Sequence, residues 1–145
     1  MRLPIQLECI IYRKSSSGYK FLLLKRLPEK GGFWQFVTGG LEDTDKDMLS
    51  GCFREIQEET GIREKDIIRK IEDVYFFQFR DEDIVRLEYV YGFEVKPEVK
   101  VNIEKNFVDE HSEYRWVEYE EALKLLKWND NKTALKKLKK ELEKR

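Results

Sequence analysis

The sequence is short of cysteine and histidine and carries almost no net charge, and each scarcity narrows what the chain can do. Cys9 and Cys52 stand in no metal-ligand spacing, and both read as reduced core residues, the usual fate of a free cysteine. Twenty-eight basic side chains face 29 acidic ones, for a net charge of −1, so no basic excess points to a nucleic-acid polymer as partner. No stretch approaches the roughly 18 apolar residues of a membrane helix, and the opening Met1-Arg2-Leu3-Pro4-Ile5-Gln6 lacks the apolar core of a secretory signal. The expectations are no membrane partner and a cytoplasmic location. Neither an internal repeat nor a low-complexity linker interrupts the 145 residues. A chain of this length buries roughly 68–70% of the surface its unfolded form exposes, so one domain over residues 1–145 is expected, as a monomer or homodimer.

What is present is a strand-rich pattern wrapped around one acidic helix. Gln6–Tyr12 and Tyr19–Lys25 are apolar, β-branched or aromatic runs separated by Lys14-Ser15-Ser16-Ser17-Gly18, two strands with a polar loop. Phe33–Thr38 is a short aromatic strand, Gly39-Gly40 reads as a turn, and Asp45–Thr60 has helical periodicity that stops at Gly61, a residue suited to a C-terminal cap. Strand patterns resume at Lys70–Phe79 and Val85–Val95. In the second, Leu87, Tyr89, Tyr91, Phe93 and Val95 alternate with Arg86, Glu88 and Glu94, which predicts one buried face. Tyr114–Val117 is a last short strand. Helices over Tyr119–Leu126 and Lys132–Leu142 close the chain, the latter with Leu135, Leu138 and Leu142 on one side and a solvated face of lysines on the other. The order implies a mixed α/β domain with helices covering a sheet.

Chemistry concentrates on the central helix. At about 100° per residue, Glu55, Glu58 and Glu59 fall within roughly a third of its circumference. Met48, Leu49, Cys52, Phe53 and Ile56 form the adjoining apolar face, which puts the carboxylates at the edge of the buried side. Three like charges there repel one another, yet together they suit a hard divalent cation such as Mg²⁺ or Mn²⁺, which favours oxygen ligands. By itself an acidic helix face is common and is most often only a solvated surface.

The wider string decides between these readings. Gly39-Gly40-Leu41-Glu42, followed by Arg54-Glu55-Ile56-Gln57-Glu58-Glu59-Thr60-Gly61-Ile62, resembles the Nudix box, in which a glycine, five residues, a glutamate and seven residues precede Arg-Glu-aliphatic-x-Glu-Glu-x-Gly-aliphatic. The resemblance implies an α/β/α sandwich with a mixed sheet, a central acidic helix and C-terminal helices. It also implies a hydrolase that uses Mg²⁺ or Mn²⁺ to cleave a phosphoanhydride bond. Carried over by position, Glu55, Glu58 and Glu59 would be metal ligands with a carbonyl of Gly39 or Gly40, and Arg54 would orient Glu55. One position departs. Counted back from Arg54, the first glutamate of the box falls on Lys46; counted forward from Gly39, it falls on Asp45 and leaves one extra residue before Arg54. Either Asp45 serves through a shifted loop or the interaction is absent.

Gly32-Phe33-Trp34-Gln35-Phe36-Val37-Thr38, Glu110-His111-Ser112-Glu113-Tyr114-Arg115-Trp116 and Trp128 are similar to the bacterial branch of the family that acts on dATP or dihydroneopterin triphosphate. That likeness implies Glu110 as a late-loop metal ligand and base, with Glu113 in reserve. It also implies a nucleoside or pterin triphosphate as the small-molecule substrate, cleaved to the monophosphate and pyrophosphate. A dinucleoside polyphosphate or nucleotide-sugar is the alternative substrate, and a non-catalytic binding module the remote one. His111 reads as structural. Trp34, Phe36 and Tyr114 read as core residues more readily than as base-stacking ones. Lys25 and Arg26, at a strand end, are candidates for phosphate contact beside the plainer reading of a solvated terminus.

Overall fold

The computed structural model describes residues 2–103 and 110–144. Seven strands form one mixed sheet: β1 (Arg2–Ser15), β2 (Gly18–Arg26), β3 (Trp34–Gln35), β4 (Val37–Glu42), β5 (Ile67–Asp81), β6 (Ile84–Val95) and β7 (His111–Val117). The path runs β3-β2-β1-β6-β5, with β4 also on β1 and β7 on β2. Pairing is antiparallel except between β1 and β6, where Ile5–Tyr12 runs parallel to Leu87–Glu94. Among the described residues there are three α-helices: α1 (Met48–Thr60), α2 (Tyr119–Leu125) and α3 (Asn129–Glu143).

Alternation along the strands makes two cores. Leu7, Cys9 and Ile11 point to one face, where they join Leu22, Leu24 and Phe93 beneath Cys52 and Ile56 of α1. Ile10 and Tyr12 point to the other, where Phe21, Leu23 and Val90 meet Leu135 and Leu138 of α3. Helices on both faces give the α/β/α sandwich that the box implies. Cys9 and Cys52 are buried free thiols, as expected. Gly92 of β6 sits under α3, where a Cβ would lie 2.7 Å from Leu138 Cδ1, so helix and sheet approach closely only because that side chain is missing.

Three expectations need correction. The helix starts at Met48, not Asp45, because the side chain of Asp47 accepts from Ser50 N at 2.8 Å and so caps it there. Gly39-Gly40 is no turn: both residues lie in β4, opposite Leu7 and Gln6 of β1. From Glu88 to Val95, strand β6 is buried or half-buried on both faces, Glu88 and Glu94 included, because this part lies inside the sheet between β1 and β5 with helices above and below. Its alternation therefore does not separate core from solvent.

Candidate functional site

Arg54 is the hub of the loop-helix junction. Its Nε and Nη2 donate to the two oxygens of Asp45, each at 2.8 Å, a bidentate geometry that fixes the guanidinium plane. Nη2 also donates to the Gly40 carbonyl at 3.0 Å, while Nη1 donates to Glu55 Oε1 at 2.9 Å and Glu58 Oε2 at 3.3 Å. Asp45 is set for this by the turn before the helix, where its Oδ2 accepts from Glu42 N at 2.9 Å. The guanidinium holds the Asp45 carboxyl below its ordinary value, and Arg54 in turn is held more firmly protonated. Lys46 is exposed beside this clamp. The extra residue before Arg54 is thus absorbed in the loop, and Asp45 makes the contact.

Beyond the clamp the carboxylates become desolvated. Glu55 and Glu59 are buried, while the Glu58 side chain is half exposed. Glu55 lies against Gly39, where a Cβ would sit 2.0 Å from its Cδ; only glycine leaves room for that carboxylate. Burial raises the Glu55 carboxyl, against hydrogen bonds from Glu59 and Arg54 that lower it. Glu59 is raised further, by burial first and then by Glu55 and Glu110, against a Thr38 backbone hydrogen bond. Two neighbouring buried carboxyls that repel hold a proton between them when no cation is present.

The strand that follows the late loop completes the cluster. One ligand atom from each of Glu59, Glu110 and His111 lies within 4.8 Å of the others. Backbone pairing holds Glu110 in place, since its carbonyl accepts from Leu27 N at 3.0 Å. His111 is buried, with Nε2 3.0 Å from Gln35 Nε2 and 4.0 Å from Glu59 Oε1. Burial, with Arg26 and Lys30 nearby, lowers the imidazole to about 4. The ring is therefore neutral near pH 7, its contact with Glu59 is no ion pair, and the Gln35 amide donates to Nε2. Its Nδ1 is buried without a hydrogen-bond partner. Buried oxygen donors that share too much negative charge, beside a neutral imidazole, form a set that fits a divalent cation.

Of the residues singled out in the sequence, Arg54, Glu55, Glu58, Glu59, Glu110 and Gly39 come together here. Glu113 does not; it is exposed on β7 opposite Lys25 and 3.7 Å from Arg115. Phe36 is fully buried in the core under α3, so it cannot stack on a ligand. Trp34 is also packed in that core, with Lys25 Nζ 5.9 Å and the Arg115 guanidinium 4.9 Å from its ring centre. These contacts turn Trp34 and Lys25 toward each other. Arg26 instead borders a cavity of about 510 Å³ together with Phe33, Gln35 and Thr38. Phe33, Phe77, Phe79 and Trp128 give the cavity its aromatic surface, and the rings of Phe33 and Trp128 meet edge to face with centroids 6.0 Å apart. Sequence reading missed Glu8, Glu88 and Asn131 behind the same cavity, because polar residues on strands and at helix starts ordinarily face water.

Comparison with known proteins identifies the family and the fold. The NUDIX domain family matches residues 6–138. A structure assigned as a NUDIX hydrolase from Listeria monocytogenes is 30% identical, with 98% of this chain and 96% of that one superposed at a TM-score of 0.82. An Ap4A hydrolase of C. elegans superposes over 97% of this chain and 98% of its own at 21% identity and a TM-score of 0.84. The dihydroneopterin triphosphate pyrophosphohydrolase of E. coli covers 92% and 93%, also at 21% identity, with a TM-score of 0.75. At that identity the last two attest the fold. The chain spans between 32% and 61% of the lengths of the curated relatives it matches.

Proposed function

From the premise that the chain belongs to the NUDIX domain family, we propose that it is a pyrophosphohydrolase that cleaves a nucleoside or pterin triphosphate to the monophosphate and pyrophosphate. The observation that carries this reading is the sharing of Gln35 and Thr38. Both border the 510 Å³ cavity, and both hydrogen-bond into the carboxylate cluster, Gln35 to His111 and Thr38 to Glu59. A ligand with its ring system in the cavity would lay its phosphate chain against Glu55, Glu59 and Glu110. The cavity volume falls in the range of about 300–1,000 Å³ typical of small-molecule sites.

Glu55, Glu58, Glu59 and Glu110, with the Gly39 carbonyl, would hold Mg²⁺ or Mn²⁺. When bound, such ions neutralise diphosphate oxygens and acidify an attacking water. The rest belongs to the chain. Arg54, pinned by Asp45 and Gly40, holds Glu55 in one orientation, so little reorganisation remains when substrate arrives. Glu110 takes the proton of the water as it attacks phosphorus in line with the bond that breaks, so that pyrophosphate and the monophosphate are the two fragments released. His111, neutral and tied to Gln35, links β7 to β3, the two strands that pair with β2, behind Glu59. Arg26, at the cavity border, carries charge suited to the phosphate chain.

The alternative substrates, dinucleoside polyphosphates and nucleotide-sugars, share the same diphosphate and differ in what leaves. Purified protein with Mg²⁺ or Mn²⁺ is to be offered nucleoside triphosphates, dihydroneopterin triphosphate, diadenosine polyphosphates and nucleotide-sugars, with products identified by mass. Release of pyrophosphate from a triphosphate at the highest kcat/KM supports the reading. Preferred release of two mononucleotide products from a dinucleotide moves the chain to the other substrate class. With Asp45 holding Arg54, the departure at Lys46 no longer argues for a module without turnover.

A further inference from the structure

A second acidic pair, Glu88 in the cavity lining and Glu8 behind it, lies on the face of the sheet opposite α1. Glu8 on β1 and Glu88 on β6 both face the α3 side of the sheet, where the register sets Gln6 beside Glu88 and Glu8 beside Val90. Their exposures are 0% and 4%, and that of Asn131, near the start of α3, is 9%. Asn131 Nδ2 donates to Glu8 Oε1, while Glu8 Oε2 is buried with no donor. Two buried carboxyls and an amide with no role in binding metal are costly to keep in a core. Glu88 and Asn131 line the cavity, which accounts for the pair if a ligand there supplies donors to Glu88.

The pair is polarised. Burial raises both carboxyls; the contact between them raises Glu8 and lowers Glu88. Glu8 is fully enclosed, whereas Glu88 lines the cavity that it shares with Arg26 and Arg80, so the negative charge of the pair belongs on Glu88, where cations and solvent can reach it. Phe33, Phe77, Phe79 and Trp128 supply flat apolar walls around it, which suits a planar ring. Arg26 and Arg80 also line the cavity, so a cationic ligand would gain from Glu88 only what it lost to two guanidiniums.

Building on the triphosphate reading above, we propose that Glu88 is the specificity residue of this cavity. It recognises a heterocycle whose edge carries a ring N–H beside an exocyclic amine, the 2-amino-4-oxo-pyrimidine edge common to guanine and pterins. A carboxylate accepts both donors in parallel, one on each oxygen, as it accepts the fork of an arginine. Adenine sets a ring nitrogen lone pair beside its amine, and that lone pair would face the carboxylate. Hypoxanthine keeps the ring N–H and lacks the amine. Glu8 is a positioning residue: its proton and its tie to Asn131 hold the charge on Glu88 and aim it.

The test compares GTP, ITP, ATP and dihydroneopterin triphosphate as substrates of the wild-type enzyme with Mg²⁺. In parallel, quenching of tryptophan fluorescence by guanosine, inosine and neopterin, without any phosphate, reads occupancy beside Trp128. The loss of one hydrogen bond to a charged group predicts kcat/KM for GTP about 10- to 100-fold above ITP, with ATP lower still. Glu88→Gln should shrink the GTP/ITP ratio to within about threefold, with the larger loss of kcat/KM falling on GTP. The order of GTP and dihydroneopterin triphosphate tells which carrier of the shared edge the cavity fits. Equal rates on GTP and ITP, a preference for ATP, or an undiminished GTP/ITP ratio in Glu88→Gln would each overturn the proposal, and pyrophosphate release from any of these substrates would leave the triphosphate reading standing. If instead no triphosphate is hydrolysed yet guanosine or neopterin quenches and inosine does not, the cavity assignment stands and the triphosphate reading falls. The wild-type comparisons decide the matter even if Glu88→Gln does not fold.

Discussion

Replacing Gly39 by alanine separates the geometry of the carboxylate cluster from the stability of the fold. The added Cβ would lie 2.0 Å from Glu55 Cδ and 2.2 Å from both of its oxygens, whereas ordinary contact begins near 3.4 Å. The carboxylate must therefore retreat by about 1.4 Å, the difference between those two distances. It is the far end of a flexible side chain, and Gly39 lies in regular strand pairing, so the backbone need not move. Retreat breaks the 2.9 Å hydrogen bond from Arg54, a partly buried charged contact, at a cost of about 1–2 kcal/mol. The catalytic effect should be larger, since a displacement of about 1 Å can cost about 10²-fold in rate. Pyrophosphate release by Gly39→Ala in saturating Mg²⁺, beside its melting curve, measures both. A folded variant with wild-type turnover would refute the placement of Glu55 at the reacting centre. If the variant does not fold, Glu55→Gln tests the same carboxylate without the steric change, and wild-type turnover there carries the same refutation.

Asp45→Asn should lower turnover about tenfold or more, because it removes the bidentate partner of Arg54, whereas Lys46→Glu should change it less than about threefold, since the clamp is already made; the reverse order would show that Lys46 touches substrate. Glu110→Gln should cost about 10²-fold in kcat with little change in KM, and Glu113→Gln far less, as steady-state kinetics will report. Metal-free protein should lose stability as pH rises above about 4.5, the ordinary glutamate value, because Glu59 is raised in the folded state and its contribution fades as pH passes through that raised value. His111 acts at the other end: lowered from 6.5 to about 4, it makes stability fall as pH drops through that window. Melting temperatures against pH should therefore show Glu59→Gln flattening the alkaline limb alone, and an unchanged limb would remove Glu59 as its cause. Added Mg²⁺ should raise the wild-type melting temperature most on that same limb.

The box was legible because its chemistry follows helical spacing: Glu55, Glu58 and Glu59 converge on any helix that contains them, and Gly61 ends α1 with φ 77° and its N–H on Gln57 O, as a capping glycine does. Strand positions were legible from apolar alternation, with ends short by a few residues. What the sequence concealed depends on pairing across the sheet. Glu88 and Glu94 look solvent-facing because alternation assumes one wet face, and a strand flanked on both sides with helices above and below has none. Gly39-Gly40 looks like a turn until β1 is laid beside it. The role of Asp45 could not be decided by counting residues, because it rests on a loop that closes through Glu42 N. Phe36 and Trp34 have the composition of a stacking pair, yet only their packing in the folded core shows that they face inward while Phe33 and Trp128 line the cavity.

The central claim is that this acidic helix, loaded with divalent cation, hydrolyses a phosphoanhydride bond, and one assay reaches it directly. Protein freed of metal by chelator is mixed with a triphosphate substrate, products are separated and identified by mass, and Mg²⁺ is then restored in excess. The account predicts no turnover in chelator, and monophosphate with pyrophosphate in equal amounts once Mg²⁺ returns. Full turnover in chelator, or the same rate from protein carrying both Glu58→Gln and Glu59→Gln, would contradict it.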